Sequence, residues 1–384
     1  MSNRAVHKIF LDAISSVLPN SLLPDFIKVD EDSLFVAANC FAIGSFNKLI
    51  VISCGKAAAS MASVTEGILE DLITDGLCIT KKGHSLSLKC FKTIEAGHPY
   101  PDDNSFRAGQ FVVKMISSLD KNDIVLLLIS GGASSLLSDI PAGCTAEDII
   151  RLNKLLVNSG ASIQEINIVR KHVSKLKGGN LSKLIYPATT LALYISDVPG
   201  DKPADIGSGL TCSDPSTFKE ALNVLTNYNL VNRVPTAIIS HLERGLGKII
   251  EDTPKPYEHY FSTTYNKVIG SNSVALEAAA VSAKASGFSV IKADELIEDD
   301  VYVAARMISS CLIGHRLTKP LCFLWGGETT LRVSGNGFGG RNQHLALSIL
   351  KEMKEKWIRK EKFTILCAGT DGTESFPLNR SDCK

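Results

Sequence analysis

The chain has 384 residues, 45% of them hydrophobic, and a formal net charge of +1 at pH 7. This length favours two or three domains with ample core, and the balanced charge indicates neither a nucleic-acid nor a membrane partner. The longest apolar run, residues 124–129, is far shorter than the roughly 20 residues of a membrane span. The ten cysteines include no C-x-x-C pair, so we interpret them as reduced thiols.

The first twenty residues, "MSNRAVHKIFLDAISSVLPN", predict an amphipathic helix. Arg4 and Lys8 would also suit a mitochondrial presequence. Asp12 and the stop at Pro19 favour an ordinary first helix instead. We therefore expect a cytoplasmic protein, with a mitochondrial location as the alternative.

Short apolar runs alternate with helical patterns along the rest of the chain. The predicted strands are "KLIVIS", "DIVLLLIS", "TTLALYISDV", "FSVIKA", "LCFLW" and "FTILCAG". The predicted helices are "AAASMASVTEGILEDLI", "AEDIIRLNKLLVNSG" with a capping box from Thr145 to Asp148, "SIQEINIVRKHVSKLKGG" ending at Gly178 and Gly179, "SNSVALEAAAVSAKASG" and "VYVAARMISSCLIGH". This alternation predicts an α/β protein with a mostly parallel sheet. The proline- and charge-rich residues 240–262 interrupt it, so we predict domains at 1–240 and 241–384.

Small and charged residues follow the predicted strands at five places. These are Gly55 and Lys56; Ser130, Gly131 and Gly132; Ser196 to Asp201; Gly326, Gly327 and Glu328; and Gly369, Thr370 and Asp371. In open α/β sheets ligands bind beyond the carboxyl ends of the strands. Small residues there let backbone amides approach an anion. The pattern predicts a shared anion site, although some such turns occur in any α/β protein.

Basic residues supply candidate anion ligands in two stretches. Lys56 begins a predicted helix, where the helix dipole disfavours a cation, so we expect it to bind a phosphate or carboxylate; the alternative is a solvated lysine. The stretch "VRKHVSKLKGG" contains Arg170, Lys171 and His172, followed by two more lysines. Cations in the last turns of a helix also stabilise it without any ligand, and that reading stays open.

The stretch "SDVPGDKPADIGSG" contributes carboxylates among turn residues. Asp197 and Asp201 could hold Mg²⁺, which favours one or two carboxylates together with substrate phosphates. One of them could instead accept a hydroxyl proton. The alternative is that both aspartates cap backbone amides in turns.

The glycine-rich stretch "GGETTLRVSGNGFGGRNQ" formally matches a dinucleotide-binding fingerprint through Gly335, Gly337 and Gly340. That fingerprint expects an acidic residue about 20 positions later, whereas Asp371 lies thirty-one positions after Gly340. Arg341 places a guanidinium, suited to gripping phosphate or carboxylate, where the fingerprint relies on backbone. The stretch therefore predicts a loop around a strongly anionic group, with an NAD(P)-dependent oxidoreductase as the rival hypothesis.

Taken together, these motifs resemble the glycerate 2-kinases of the MOFRL type, a family that also carries a hydroxypyruvate reductase label. The matching segments are "GKAAASMA", "AGHPYPD", "LISGGASSLL", "NIVRKHVSKLKGGNL", "ISDVPGD", "SDPSTF", "GSNSVALEAA", "GGETTLRVSGNGFGGRNQ" and "AGTDG". The resemblance implies two Rossmann-like domains, each a mostly parallel sheet flanked by helices, with the active site in the cleft between them. It also implies ATP- and Mg²⁺-dependent phosphorylation of D-glycerate to 2-phosphoglycerate.

The resemblance also assigns residues. Carried over by motif, the catalytic residues are Lys56, Arg341 and Asp371. From the residue pattern we add Asp197 as a catalytic residue and expect Asp197 and Asp201 as metal ligands, while which of Asp197, Asp201 and Asp371 takes the hydroxyl proton stays open. The expected ATP- and substrate-binding residues are Gly55, Ser130, Gly131, Gly132, Ser134, Arg170, Lys171, Gly326, Gly327, Glu328, Gly337, Gly339, Gly340 and Asn342. The expected partner is the small-molecule substrate, in a possible homodimer.

The C-terminus departs from the family pattern. After "AGTDG" the chain reads "TESFPLNRSDCK", where the family continues with a further helix and strand. We therefore expect a truncated or alternatively spliced product, less stable and less active than a full-length relative. A hydroxypyruvate reductase and a catalytically impaired, non-enzymatic isoform are the alternatives.

Overall fold

The structure, a computed structural model, describes residues 3–315, 320–331, 339–356 and 363–370. The chain divides into two compact units, a larger one of Pro19–Ser271 and a smaller one that combines Met1–Leu18 with Asn272–Lys384. The N-terminal helix therefore belongs to the same unit as the C-terminal part of the chain. In the described ranges, no helix is long and apolar enough to cross a membrane, and the cysteines are unpaired thiols.

Apart from the segment "FTILCAG", each predicted strand and helix occurs in the predicted order, with further strands and helices between them. The helices are α1 (Asn3–Ser16), α2 (Pro19–Phe26), α3 (Ala58–Leu69), α4 (Asp103–Ile116), α5 (Ala133–Leu136), α6 (Ala146–Val157), α7 (Ile163–His172), α8 (Asn180–Ile185), α9 (Phe218–Asn227), α10 (Thr236–Leu246), α11 (Asn272–Ala285), α12 (Val301–Gly314) and α13 (Arg341–Lys356). The strands are β1 (Ile27–Val29), β2 (Ser33–Val36), β3 (Asn39–Ala42), β4 (Leu49–Cys54), β5 (Asp75–Lys81), β6 (Phe91–Ala96), β7 (Ile124–Ser130), β8 (Thr189–Ile195), β9 (Thr264–Gly270), β10 (Ser289–Lys292) and β11 (Leu321–Leu324).

A six-stranded sheet organises the larger unit. Its strands lie in the order β6-β5-β4-β7-β8-β9, and every neighbouring pair is parallel. Every residue of β4 and β7 is buried. Continuous apolar runs are typical of parallel strands covered on both faces, and this is why "LIVISC" and "IVLLLIS" form the centre. Because all six strands point the same way, their carboxyl ends share one edge of the sheet.

The larger unit also contains a small antiparallel sheet in the order β1-β2-β3. In β2 the side chains of Leu34 and Val36 are buried while Phe35 between them is exposed. This alternation is expected for an antiparallel sheet with one covered face.

The smaller unit is built around the parallel pair β10 and β11. Helix α12 packs against α13 over an apolar cluster that includes Val301, Ile308 and Ile349. Helix α1 packs against α11, and there Ser282 donates a hydrogen bond to the Asp12 carboxylate at 2.5 Å. These contacts explain why the first helix belongs to this unit.

The structure confirms the predicted fold class, an α/β protein with a parallel sheet flanked by helices. The division between the compact units lies at 271/272, whereas the predicted domain boundary lies at 240/241. The difference arises because β9, after the predicted boundary, extends the six-stranded sheet through its pairing with β8.

Two predicted elements were wrong. The helix predicted to run to Gly178 ends at His172, because Ser174 Oγ and the Lys175 N–H both donate to the Asp139 carboxylate and turn the backbone away from the helix. The segment "FTILCAG" forms no strand in the described residues, since its backbone joins no hydrogen-bonded ladder. Two of its side chains, Ile365 and Cys367, nevertheless pack against the apolar cluster of α12 and α13.

Candidate functional site

The carboxyl ends of β4, β7 and β8 lie side by side in the larger unit, because these strands are neighbours in the parallel sheet. Each is followed by one of the small or charged stretches identified in the sequence. Gly55 and Lys56 follow β4, Gly131 and Gly132 follow β7, and Asp197 lies two residues after β8. The sheet therefore brings together three of the five predicted stretches.

Hydrogen bonds tie the turn after β4 to the turn after β7. The Lys56 N–H donates to the Gly131 carbonyl at 2.8 Å, and the Ala57 N–H donates to Ser130 Oγ at 3.0 Å. Gly55 has a φ of +135°, and a Cβ there would lie 2.1 Å from Ser130 Oγ. Only glycine allows so close an approach of the two turns. Lys56 is thereby held in place at the start of α3.

A charged pair occupies this edge of the sheet. The Lys56 ammonium lies 3.8 Å from Asp197 Oδ2, with side-chain exposures of 31% and 49%. A Cβ on Gly131 would lie 1.7 Å from the same carboxylate oxygen. The missing side chain at Gly131 therefore makes room for the Asp197 carboxylate. We refer to Lys56, Asp197, Gly131 and Gly132 as the Lys56 cluster.

His98 belongs to this neighbourhood, although the sequence reasoning did not select it. His98 lies two residues after the end of β6, and its ring lies beside Gly132. A Cβ on Gly132 would lie 2.9 Å from His98 Cδ2 and 3.2 Å from His98 Nε2. The same Cβ would lie 3.3 Å from Lys56 Cγ. The available signal was a histidine directly after a strand, in the motif "AGHPYPD".

The predicted metal ligands are placed differently. Asp197 joins the Lys56 cluster, whereas Asp201 has a φ of +51° and its N–H donates to the Val198 carbonyl at 3.2 Å, which closes a turn. In the described ranges no group of three or more His, Cys, Asp or Glu residues could hold a metal ion. Asp197 alone fits the mode in which Mg²⁺ takes one carboxylate and completes its shell with phosphate oxygens and water.

Ser134 and Arg170 lie near one another behind the turn after β7. Ser134 Oγ lies 2.7 Å from Ser208 Oγ. Arg170 Nε donates to Asn153 Oδ1 at 2.8 Å. Both Ser134 and Arg170 line one small polar cavity.

Lys171 and its neighbour His172 instead enter a buried charge network. The Lys171 ammonium lies 3.4 Å from Asp214 Oδ1, and both side chains are less than 10% exposed. His172 Nδ1 lies 2.8 Å from the Ile168 carbonyl and its Nε2 lies 3.0 Å from Asp252 Oδ1. Both ring nitrogens of His172 therefore lie within hydrogen-bond distance of an oxygen. This network joins the end of α7 to residues 252–255.

In the smaller unit, the turn after β11 lies close against neighbouring backbone and side chains. A Cβ on Gly326 would lie 1.8 Å from Asn272 Oδ1, at the start of α11. Gly327 has a φ of +129°, and a Cβ there would lie 2.2 Å from the Ile297 carbonyl oxygen. The Glu328 N–H donates to that carbonyl at 2.8 Å. Both glycines are therefore required by packing.

Arg341 begins α13 and faces the same turn. Its Nη2 lies 2.5 Å from Glu328 Oε1, and its Nη1 donates to the Thr329 carbonyl at 3.3 Å. The Arg341 and Glu328 side chains are 45% and 67% exposed. Gly339 and Gly340 directly precede this helix, and Asn342 follows Arg341. Gly337 and Asp371 lie outside the described residues, as does most of the predicted anion-binding loop from Gly335 to Gly340.

A cavity of the larger unit lies away from these residues. It has a volume of about 580 Å³ and lies between residues 36–39 and strands β8 and β9. Its wall contains the exposed Tyr265 and Lys267 but none of the predicted site residues. We place the candidate site at the Lys56 cluster, because strand ends, close glycine approaches and paired charges converge there.

The fold and these residues define an α/β protein with a lysine–carboxylate pair and close glycine turns at the carboxyl ends of its parallel strands. Residues 5–243 match the family "Domain of unknown function (DUF4147)", and residues 321–375 match the MOFRL family. A glycerate 2-kinase of Pyrococcus horikoshii is 37% identical over 94% of this chain and 81% of its own length. A D-glycerate 2-kinase of Thermotoga maritima is 37% identical over 86% of this chain and 76% of its own length. A crystal structure of glycerate kinase from Thermotoga maritima superposes with a TM-score of 0.76 at 33% identity, covering 91% of this chain and 80% of that one.

The chain therefore belongs to the glycerate kinase family, and it is an enzyme of the kinase class. This confirms the resemblance seen in the sequence motifs. The first family match ends at residue 243, close to the predicted domain boundary at 240/241, whereas the compact units divide at 271/272. The boundary stays a prediction.

The charge network around His172 generates a prediction about stability. Burial acts to raise the pKa of Asp252, but the hydrogen bond and charge of His172, with help from Lys255 and the Thr253 N–H, hold that pKa below its ordinary value. A carboxylate with a lowered folded pKa stabilises the fold above its unfolded pKa of about 4, and this stabilisation is lost as the pH falls through the folded pKa. Asp252→Asn should therefore lower the free energy of unfolding at pH 7, with a difference that shrinks below about pH 4.

Urea unfolding followed by circular dichroism at pH 7, 5 and 3 measures this difference. Glu251→Gln is the matched control, because Glu251 is the adjacent carboxylate, is 73% exposed, and forms a surface pair with Lys183 that should contribute less than about 1 kcal/mol. An Asp252→Asn effect that is independent of pH, or no larger than that of the control, would contradict the network.

Proposed function

We propose that the protein transfers the γ-phosphoryl group of ATP to the C2 hydroxyl of D-glycerate and forms 2-phosphoglycerate, with Mg²⁺ as cofactor. The observation that carries this proposal is the Lys56 cluster, in which a lysine, a carboxylate and two glycines meet at the carboxyl ends of β4, β7 and β8. The glycerate 2-kinase relatives support the choice of substrate and product.

Phosphoryl transfer requires positioning and charge neutralisation more than covalent help from the protein. The Lys56 ammonium neutralises negative charge on a phosphoryl group or on the glycerate carboxylate. The missing side chain at Gly131 leaves room for the Asp197 carboxylate beside the Lys56 ammonium, so both charged groups are available to the reacting groups in this proposal. The hydrogen bond from the Lys56 N–H to the Gly131 carbonyl holds the two turns together while negative charge develops on the transferred phosphoryl group.

In the proposed step a bond forms between the C2 oxygen of glycerate and the γ-phosphorus, while the bond from that phosphorus to the bridging oxygen of ADP breaks. The hydroxyl proton passes to a carboxylate. In this proposal Asp197 takes this role or holds Mg²⁺, and the 3.8 Å distance from its Oδ2 to the Lys56 ammonium supports the choice. When bound, Mg²⁺ would neutralise charge on the phosphates.

Arg341 supplies a second anion contact in this proposal. Its partner Glu328 is largely exposed, and exposed ion pairs contribute only about 0–1 kcal/mol. An anionic ligand can therefore replace Glu328 at little cost. The planar guanidinium offers two parallel donors to a phosphate or carboxylate.

Replacing Lys56 tests the Lys56 cluster. Lys56→Ala should lower kcat/KM about 10- to 150-fold, because a charge-assisted hydrogen bond contributes about 1.5–3 kcal/mol. The melting temperature should stay close to that of the wild type, since Lys56 is partly exposed. The assay is ADP release with D-glycerate, with the product position established by NMR.

Lys121→Ala, which alters an exposed lysine outside the cluster, is the control. If Lys56→Ala and Lys121→Ala are equally active, Lys56 is a solvated lysine. If the wild type releases no ADP but oxidises NADH with hydroxypyruvate, the rival reductase hypothesis replaces the kinase.

Replacing Arg341 tests bidentate recognition. Arg341→Lys should restore little of the activity lost in Arg341→Ala, because an ammonium is a point charge and cannot reproduce the planar fork. Steady-state ADP release measures both variants. Arg306→Lys, on the exposed face of α12, controls for a general effect of the substitution. Wild-type activity in Arg341→Lys would show that charge alone is sufficient.

His98 should contribute to binding because its ring lies beside Gly132 of the Lys56 cluster. His98→Phe keeps an aromatic ring but removes the nitrogens, and we expect KM for one substrate to rise about tenfold, as for a lost hydrogen bond of roughly 1.4 kcal/mol. Because the effect is on binding, kcat should change less than KM. His84→Phe serves as the control, and an unchanged KM in His98→Phe would remove His98 from the site.

The homodimer and the cytoplasmic location, with its mitochondrial alternative, stay predictions from the sequence. The expected instability of a truncated C-terminus concerns residues 371–384, which lie outside the described residues.

A further inference from the structure

A small polar cavity lies behind the turn that follows β7 in the larger unit. Its volume is about 10 Å³, which is room for about one water-sized atom. Its wall is formed by Ser134, Ser138, Asp139, Ile149, Asn153, Arg170, Val173, Ser174 and Lys177. We call it the Lys177 cavity. Two cations therefore line a space with room for one small atom or ion.

Both cations have more donors than partners among the described residues. The Lys177 side chain is 5% exposed, and its ammonium donates one hydrogen bond, to the Leu137 carbonyl at 2.8 Å. The half-buried Arg170 donates one, from Nε to Asn153. An ammonium carries three donors and a guanidinium five. Most of the N–H groups on these two side chains are therefore unmatched by protein acceptors.

The acceptors in the cavity wall are already engaged. The two Asp139 oxygens accept from Ser174 Oγ and from the Lys175 N–H. Ser134 Oγ is shared with Ser208 Oγ. A water molecule would accept at most two of the unmatched N–H groups and would add two donors of its own. An anion accepts from several donors and adds none.

The charges in the wall lead to the same conclusion. Lys177 and Arg170 carry two positive charges and Asp139 carries one negative charge, so one positive charge is left uncompensated. Buried charges are normally paired, because an unpaired ion loses its hydration without recovering an equivalent interaction. One monovalent anion would neutralise the wall.

We propose that the Lys177 cavity binds a single monatomic anion, a halide such as chloride. The small volume of the cavity favours a monatomic over a polyatomic anion, and the surplus of donors and of positive charge favours an anion over water. The halide would lie between α5, α6 and the residues that follow α7. This site lies outside the Lys56 cluster, and its existence does not depend on the proposed kinase reaction.

The ionisation of Lys177 supports a further expectation. Burial lowers the pKa of Lys177 to about 8, with Asp139 acting to raise it and Arg170 to lower it. The Cys54 thiol also faces this lysine, and burial raises its pKa, so it stays neutral. Since a halide binds the charged lysine, halide binding should weaken as the pH rises above about 8.

The test uses the full chain and inorganic halide. Thermal melting at constant ionic strength should show a Tm about 2–4 °C higher in sodium chloride or bromide than in sodium gluconate, once the halide concentration is about five times Kd. The difference should be smaller at pH 9 than at pH 7. Crystals grown in sodium bromide should show an anomalous peak in contact with the Lys177 ammonium.

Lys177→Met keeps a side chain of similar length without the charge and should abolish the halide-specific rise in Tm. Lys175→Met is the matched control, because Lys175 is exposed and lies on the same segment, and its halide response should match that of the wild type. If Lys177→Met does not fold, the wild-type melting curves and the bromide peak still test whether the cavity binds a halide. Equal Tm in halide and gluconate, or density with no anomalous signal, would show that the cavity holds only water.

Discussion

The Lys56 cluster depends on the backbone ladder that pairs β4, β7 and β8 in parallel. The pairing register places Cys54 beside Ile129 and Ser130 beside Ile195. The three neighbouring strands therefore end at nearly the same height in the sheet. The apolar strands are buried on both faces, and burial of a Leu or Ile side chain contributes about 1.5–3 kcal/mol, so this ladder is among the most stable parts of the unit. The polar turns at its end are held by a rigid base, which a site for charge neutralisation requires.

Glycine then decides how closely the turns approach. At Gly55 a side chain would overlap Ser130, and at Gly131 it would overlap the Asp197 carboxylate. These two positions convert adjacent strand ends into one charged cluster. In the smaller unit Gly326 and Gly327 have a comparable role beside Asn272 and Ile297. The glycines are thus required by the close approach of backbone and side chains, whatever ligand is bound.

The basic stretch after α7 shows that similar residues serve different purposes. Lys171 is buried against Asp214, and His172 is buried against Asp252. Lys177 reaches a carbonyl at the Lys177 cavity. Removing one partner from a buried ion pair costs far more than removing an exposed one, because the remaining charge stays desolvated. The basic stretch after α7 therefore stabilises the larger unit and also contributes possible anion ligands.

The sequence by itself determined the α/β class, the central strands and the kinase family, because continuous apolar runs and strand-end motifs are local patterns with few alternative structures. It also located Lys56, Gly131 and Asp197 correctly at strand ends. It did not determine which basic residues after α7 are buried, where that helix ends, or that His98 reaches Gly132. Those outcomes depend on partners distant along the chain, since Asp214 lies 43 residues from Lys171 and Asp252 lies 80 residues from His172. Helical periodicity specifies a face, but only the tertiary structure decides which charge meets that face and whether water is excluded from the contact.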